Sequence, residues 1–178
     1  MTAYGGKELA ASFRTVRGNT IKTVEEIPDD QFSFVAAPGL RSVAQIVAHI
    51  SNVTKYHLDA HRDKKLSSIA GYDFPGFLGK LAAEEAKLTT KAHLLAALKA
   101  NGEEYASWLE SLSDAFLAER VENYDRQGTK SRLELMLSPK EHEMHHRAQL
   151  FLILRMLGQT PHLTRHMQER MAAAAQRS

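Results

Sequence analysis

Apolar positions recur at helical steps in four long segments of the chain. The first runs Leu9, Phe13, Val16, Thr20, Val24, Ile27, and Pro28 closes it. A connector from Asp29 to Leu40 follows, with a turn at Pro38-Gly39. The second stripe, Val43, Ile46, Val47, Ile50 and Val53, begins behind a capping box of Ser42 and Gln45, and predicts a helix running past Tyr56 to about Asp63. Gly71 to Gly79 combines glycines with Pro75 and reads as a packed loop or short turns. Thr89 or Thr90 caps a third helix carried by Leu94, Leu98, Tyr105, Leu109 and Leu112. Gly102 sits inside it, at about 1 kcal/mol relative to alanine. Glu122 to Lys130 is polar and reads as a loop. The fourth helix spans about Arg132 to Leu157, stopped by Gly158 and Pro161. Ser138-Pro139-Lys140-Glu141 is a further capping box, so that helix restarts or kinks at Pro139. A short last helix starts near Thr164, with a soft tail over 172–178. No alternating strand pattern and no internal repeat is visible. The expected architecture is all-α: one domain over 1–178, a four-helix bundle with a short C-terminal helix. The connector after the first helix is long enough for a crossover.

Composition narrows the function classes. A chain of 178 residues suits about one domain. Lys plus Arg number 23 against 21 for Asp plus Glu, a net charge of +2. That balance argues against a concentrated basic face, and so against a nucleic-acid partner. There is no cysteine. The chain therefore has no thiol nucleophile of its own, and any metal must be held by histidines and carboxylates. Met1 to Ala10 lacks the apolar core of a signal peptide, and no run approaches the ~18 apolar residues of a membrane span. The expected compartment is the cytoplasm.

The chemistry lies with the histidines, nine in all. The densest run is His142-Glu143-Met144-His145-His146-Arg147-Ala148-Gln149. At 100° per residue with His142 as origin, His146 lies at about 40°, Gln149 at about −20°, Ile153 at about 20° and Leu157 at about 60°. His142 and His146 are thus expected on the apolar stripe, spaced one turn apart to share a metal ion, with His145 at its edge and Arg147 pointing away. Two core histidines satisfied by hydrogen bonds are the plainer alternative. A third ligand must come from another helix, and on the second helix both His49 and His57 meet the angular requirement. Tyr56 lies on the His49 side, more as core packing than as a site residue. Gln149 can orient a ligand at the metal or bond between helices, and His145 can support the ligands from behind or be exposed.

The same run also fits H-E-x-x-H, with Glu143 as general base of a zinc peptidase and His162, His166 or Glu169 as third ligand. No strand to align a peptide is predicted, which disfavours that reading and leaves Glu143 as a solvated helix charge.

Lys140 to Leu150, together with Leu157-Gly158-Gln159-Thr160-Pro161-His162, resembles the DinB family of DinB/YfiT-like metalloenzymes. The family pattern, close to His-x-x-His-His-Arg-Gly-Gln, is matched except that Ala148 stands where glycine is common. An earlier helix carries a further histidine in the family, and Pro38 to Val43 followed by His49 fits that element. The resemblance implies a four-helix bundle with metal ligands at His49, His142 and His146. Three imidazoles with open positions suit Zn²⁺ or Ni²⁺ and a catalytic rather than a closed structural site. The resemblance further implies a transferase that moves a low-molecular-weight thiol, here a cosubstrate, onto a small electrophilic substrate. The alternatives are a small metal-dependent hydrolase and a non-catalytic, metal-stabilised helical module of a stress response. A homodimer is compatible with either class.

Overall fold

In the computed structural model, which describes residues 4–177, all four long stripes form helices. Helix α1 (Gly6–Glu26) buries Leu9, Phe13, Val16 and Val24 and ends before Pro28. Helix α2 (Val43–His57) starts at the expected capping box: Gln45 N–H donates to Ser42 Oγ at 3.3 Å, and Ser42 N–H donates to Gln45 Oε1 at 2.8 Å. It continues to Asp63, as expected, but as a π-helical turn over Leu58–Asp63.

The segment read as a loop at Gly71 to Gly79 contains the first half of a helix, α3 (Phe74–Glu85). Pro75 lies in its first turn, where no intrahelical N–H is required, and the Asp73 carboxylate accepts from Gly76 N–H at 2.9 Å. Helix α4 (Lys91–Glu110) is capped by Thr90, whose hydroxyl accepts from His93 N–H at 3.1 Å. Next come a short helix, α5 (Asp114–Ala118), and an antiparallel hairpin of β1 (Arg120–Glu122) and β2 (Thr129–Ser131). The expected polar loop is therefore the turn of this hairpin. Its strands span only three residues each, too few for a period-two signal.

Helix α6 (Arg132–Met156) runs unbroken through Pro139 and is capped at Ser131 with Glu134 rather than at Ser138. Pro139 is buried, so packing outweighs the lost backbone bond. The predicted stop at Gly158 holds: its φ is +77°, and Gln159 N–H donates back to Leu154 O at 2.9 Å. Helix α7 (His162–Ala175) begins slightly before Thr164 and extends into the segment expected to be a tail.

Two apolar clusters define the topology. One joins the end of α1 (Val24) to the start of α2 (Val47), the start of α4 (Leu94) and the end of α6 (Leu154). The other joins Leu9 and Phe13 to Leu58, Tyr105 and Met136 at the opposite ends of those helices. Helices α2 and α4 therefore run parallel to each other and antiparallel to α1 and α6. The crossover that parallel neighbours require is the segment carrying α3, between α2 and α4, not the connector after α1.

Between the clusters the bundle interior is polar. Arg17 of α1 donates from Nε to both carboxylate oxygens of Glu143 on α6, at 3.0 and 2.9 Å. Its other nitrogens donate to Leu98 O of α4 at 2.7 Å and Ile50 O of α2 at 3.3 Å. One guanidinium thus ties together all four bundle helices. Gly102 is required beside it, because a Cβ there would lie 2.8 Å from Arg17 Cγ.

Candidate metal site

Helices α2 and α6 pack together and bring three of the expected residues to one point. Potential ligand nitrogens of His49, His142 and His146 all lie within 4.8 Å of one another. His49 Nε2 is 2.9 Å from His142 Nε2, and the ring centroids of His142 and His146 are 4.6 Å apart. Gln149, one turn on from His146, sits 2.9 Å from His146 Nδ1 through Oε1. With the amide oxygen accepting, Nδ1 carries the proton and Nε2 keeps its lone pair for a ligand. The Gln149 amide nitrogen approaches His145 Nε2 at 3.4 Å, so exposed His145 stands behind the group.

Burial, then the neighbouring histidines, pushes the His142 pKa down to about 4. Burial also lowers His146, against the opposing hydrogen bond from Gln149. Both are therefore neutral imidazoles near pH 7, the form a metal ion needs. Adjacent ligands of a divalent ion with bonds of about 2.0–2.1 Å stand roughly 3 Å apart, so the donor set suits such an ion in its chemistry, and the 2.9 Å between His49 and His142 suits it in spacing.

The orientation of α6 differs from the expectation in one respect. The buried face of the helix comprises Met136, Pro139, Glu143, His146, Arg147, Leu150, Ile153 and Leu154, with Arg132 at its start. Glu143, not His142, is near its centre; His146 is buried as expected, and half-buried His142 flanks the face toward α2. Glu143 is fully buried and held by Arg17, so it is neither a solvated charge nor a base beside the histidines. Arg147 likewise turns inward and donates to Val16 O of α1 at 3.1 Å. The residues that a peptidase would use as third ligand lie elsewhere: His162 sits beside Glu26 of α1, and His166 and Glu169 are exposed on α7.

His57, which the helix angle also admitted, does not join the cluster. It is buried beside His61 and Tyr105. Tyr56 packs on His57, Tyr72, Phe74 and Phe77, and burial raises its pKa to about 12. Its ring contacts, among the described residues, are with that aromatic group rather than with the three histidines.

Burial depresses His57 to a pKa of about 3 and His61 to about 4, the latter aided by Arg132, whose Nη1 lies 2.9 Å from His61 Nδ1. Both are neutral when folded, and each binds a proton on unfolding below its ordinary value of 6.5. Their contribution to stability is therefore complete above pH 6.5 and is lost as pH falls toward 4 and 3. Each adds a slope of up to about 1.4 kcal/mol per pH unit in that window. Urea unfolding at several pH values should show this fall, and His57→Gln should flatten it. An unchanged slope would contradict the assignment.

Two further residues adjoin the site without a sequence signal of their own. Glu85, on the unexpected helix α3, places Oε1 3.9 Å from His49 Nδ1. Arg41, just before the α2 cap, acts by its charge on both His142 and His146.

Comparison with known proteins agrees with this architecture. The model of the DinB family matches residues 1–177. A protein of Bacillus subtilis (strain 168) named as uncharacterized protein YjoA is 27% identical over 155 residues, covering 86% of this chain and 91% of the relative. YfiT from Bacillus subtilis, described as a probable metal-dependent hydrolase with an unusual four-helix bundle topology, superposes with a TM-score of 0.68 at 18% identity, over 90% of this chain and 91% of its own. The colibactin self-resistance protein ClbS, solved in complex with a dsDNA, superposes with a TM-score of 0.62 at 19% identity, over 88% of this chain and 98% of its own. At such identities the likeness is one of fold. Because a neighbour with this fold binds DNA, the expectation that a balanced net charge excludes nucleic acid does not hold for the fold. No helix among the described residues is long and apolar enough to cross a membrane.

Proposed function

The chain belongs to the DinB family, and on that premise we propose that it is a metal-dependent enzyme that transfers a low-molecular-weight thiol to a small electrophile. The observation that carries the reading is the convergence of three imidazoles within 4.8 Å on two packed helices. His49, His142 and His146 hold a divalent ion, Zn²⁺ or Ni²⁺ by donor type. Such an ion supplies Lewis acidity, lowering the pKa of a thiol or water beside it so that a nucleophile exists near pH 7. Gln149 fixes the tautomer and ring orientation of His146. With no cysteine in the chain, the sulfur comes from a cosubstrate. Its thiolate forms the new C–S bond as the electrophile's leaving group departs, and the thiol proton passes to solvent.

Gln149→Ala is expected to weaken divalent-metal affinity by about 10–100-fold. Competition with a chelating dye measures this, and unchanged affinity would remove Gln149 from the site.

A second reading, a small hydrolase, is favoured by the description of YfiT. One assay separates the two. Metal-loaded protein is incubated with a panel of low-molecular-weight thiols and monochlorobimane, and in parallel with activated esters and amides. Metal-dependent thioether formation supports the transferase. Ester or amide cleavage without thioether formation supports the hydrolase and overturns the transferase.

A further inference from the structure

A cleft of about 440 Å³ opens beside the histidines, between the approach to α2 and the C-terminal half of α6. Leu40, Ile46, Leu152 and Ile153 form its apolar walls, and Arg41 and Gln149 supply its polar groups. Gln149 is the residue bonded to His146, so the cleft borders the candidate metal site directly. Leu40 and Leu152 are each 59% exposed, apolar surface left open rather than covered by the protein. No carboxylate lines this space. Among the described residues the Arg41 guanidinium has neither an ion pair nor a hydrogen bond, leaving its fork of donors unused. Every other feature of the cleft is neutral, so Arg41 alone sets its charge preference. A planar cation at an apolar cleft is complementary to a small molecule with a greasy body and an oxyanion at one end.

We propose that this cleft is the substrate subsite and that Arg41 selects a small amphipathic organic anion, its apolar body against Ile46, Leu152 and Ile153 and its oxyanion on the guanidinium. Calling this molecule the substrate rests on the metal-enzyme reading above. Its binding does not, because neither Arg41 nor the apolar walls need a metal ion.

The test therefore uses metal-free protein, which also prevents the probe from binding through a metal. Calorimetry compares 4-phenylbutyrate, 3-phenylpropylphosphonate and the neutral 4-phenylbutyramide. Wild type should bind at least one of the anions about tenfold more tightly than the amide, the worth of one charge-assisted pair. The stronger of the two identifies the oxyanion as carboxylate-like or phosphate-like. Arg41→Gln should reduce the anions to the affinity of the amide while leaving the amide unchanged, and Leu152→Ser should weaken all three together. Both positions are exposed, so these variants fold. Equal affinity for anions and amide in wild type, a preference that survives Arg41→Gln, or no binding of any probe would overturn the proposal. Failure of the metal or thiol experiments, with the anion preference intact, would overturn only the reading of the enzyme.

Discussion

Glu143→Ala should destabilise the protein by about 3–5 kcal/mol, the effect of removing one partner from a buried ion pair. Glu143 is fully buried and Arg17 is 4% exposed. In the variant the guanidinium keeps Leu98 O and Ile50 O but loses its countercharge where water cannot replace it. The double change Arg17→Met with Glu143→Met should recover most of the loss, because well-packed apolar residues often replace a buried pair at little cost. Urea unfolding measures both, with a midpoint that moves while the slope does not. The result also decides what the H-E-x-x-H spacing means. A Glu143→Ala protein of wild-type stability that had lost activity would make Glu143 a catalytic base. A destabilised protein that still binds metal fits its place between α1 and α6.

His142→Ala should lower divalent-metal affinity by more than about 100-fold, beyond the 10–100-fold typical of losing a group that only supports a ligand. Activity should fall in proportion. The stability of the metal-free protein should change little, because His142 flanks the core rather than filling it. Chelator competition and thermal melting of the metal-free protein measure the two effects separately. This pair of results distinguishes an enzyme from a metal-stabilised module. If metal removal or His142→Ala unfolds the chain, the ion has a structural role and the catalytic reading fails.

Much of this was legible along the chain. The four bundle helices follow from apolar periodicity, and the Ser42–Gln45 box and the Gly158 stop mark helix ends where they occur. The His142 and His146 spacing also survives, since one helical turn keeps both rings together whichever way the helix faces. Rotation was harder to read. Ile153 and Leu157 place the apparent stripe on the His142 side, whereas the buried face extends from Ile153 and His146 through Glu143 to Arg147, so its centre lies nearer Glu143. Arg147 reads as solvent-facing from its helix angle, and Glu143 as a solvated charge because no strand is predicted to align a peptide beside it. Their partners, Arg17 and Val16 O, come from a helix more than a hundred residues earlier. Helix α3 was hidden by Gly71, Gly76, Gly79 and Pro75, although Pro75 falls in the first turn where proline is tolerated. The placements of Glu85 and Arg41 beside the histidines arise only from tertiary packing, and nothing in their local sequence announces them.

On the proposed reading, His49, His142 and His146 together hold one divalent ion. Elemental analysis of protein purified without a histidine tag and reconstituted with Zn²⁺ or Ni²⁺ tests it most directly, with His146→Ala prepared in parallel. Close to one ion per chain is expected in wild type and almost none in the variant. No metal in either protein, or equal metal in both, would contradict it and reduce the three histidines to a hydrogen-bonded group between α2 and α6.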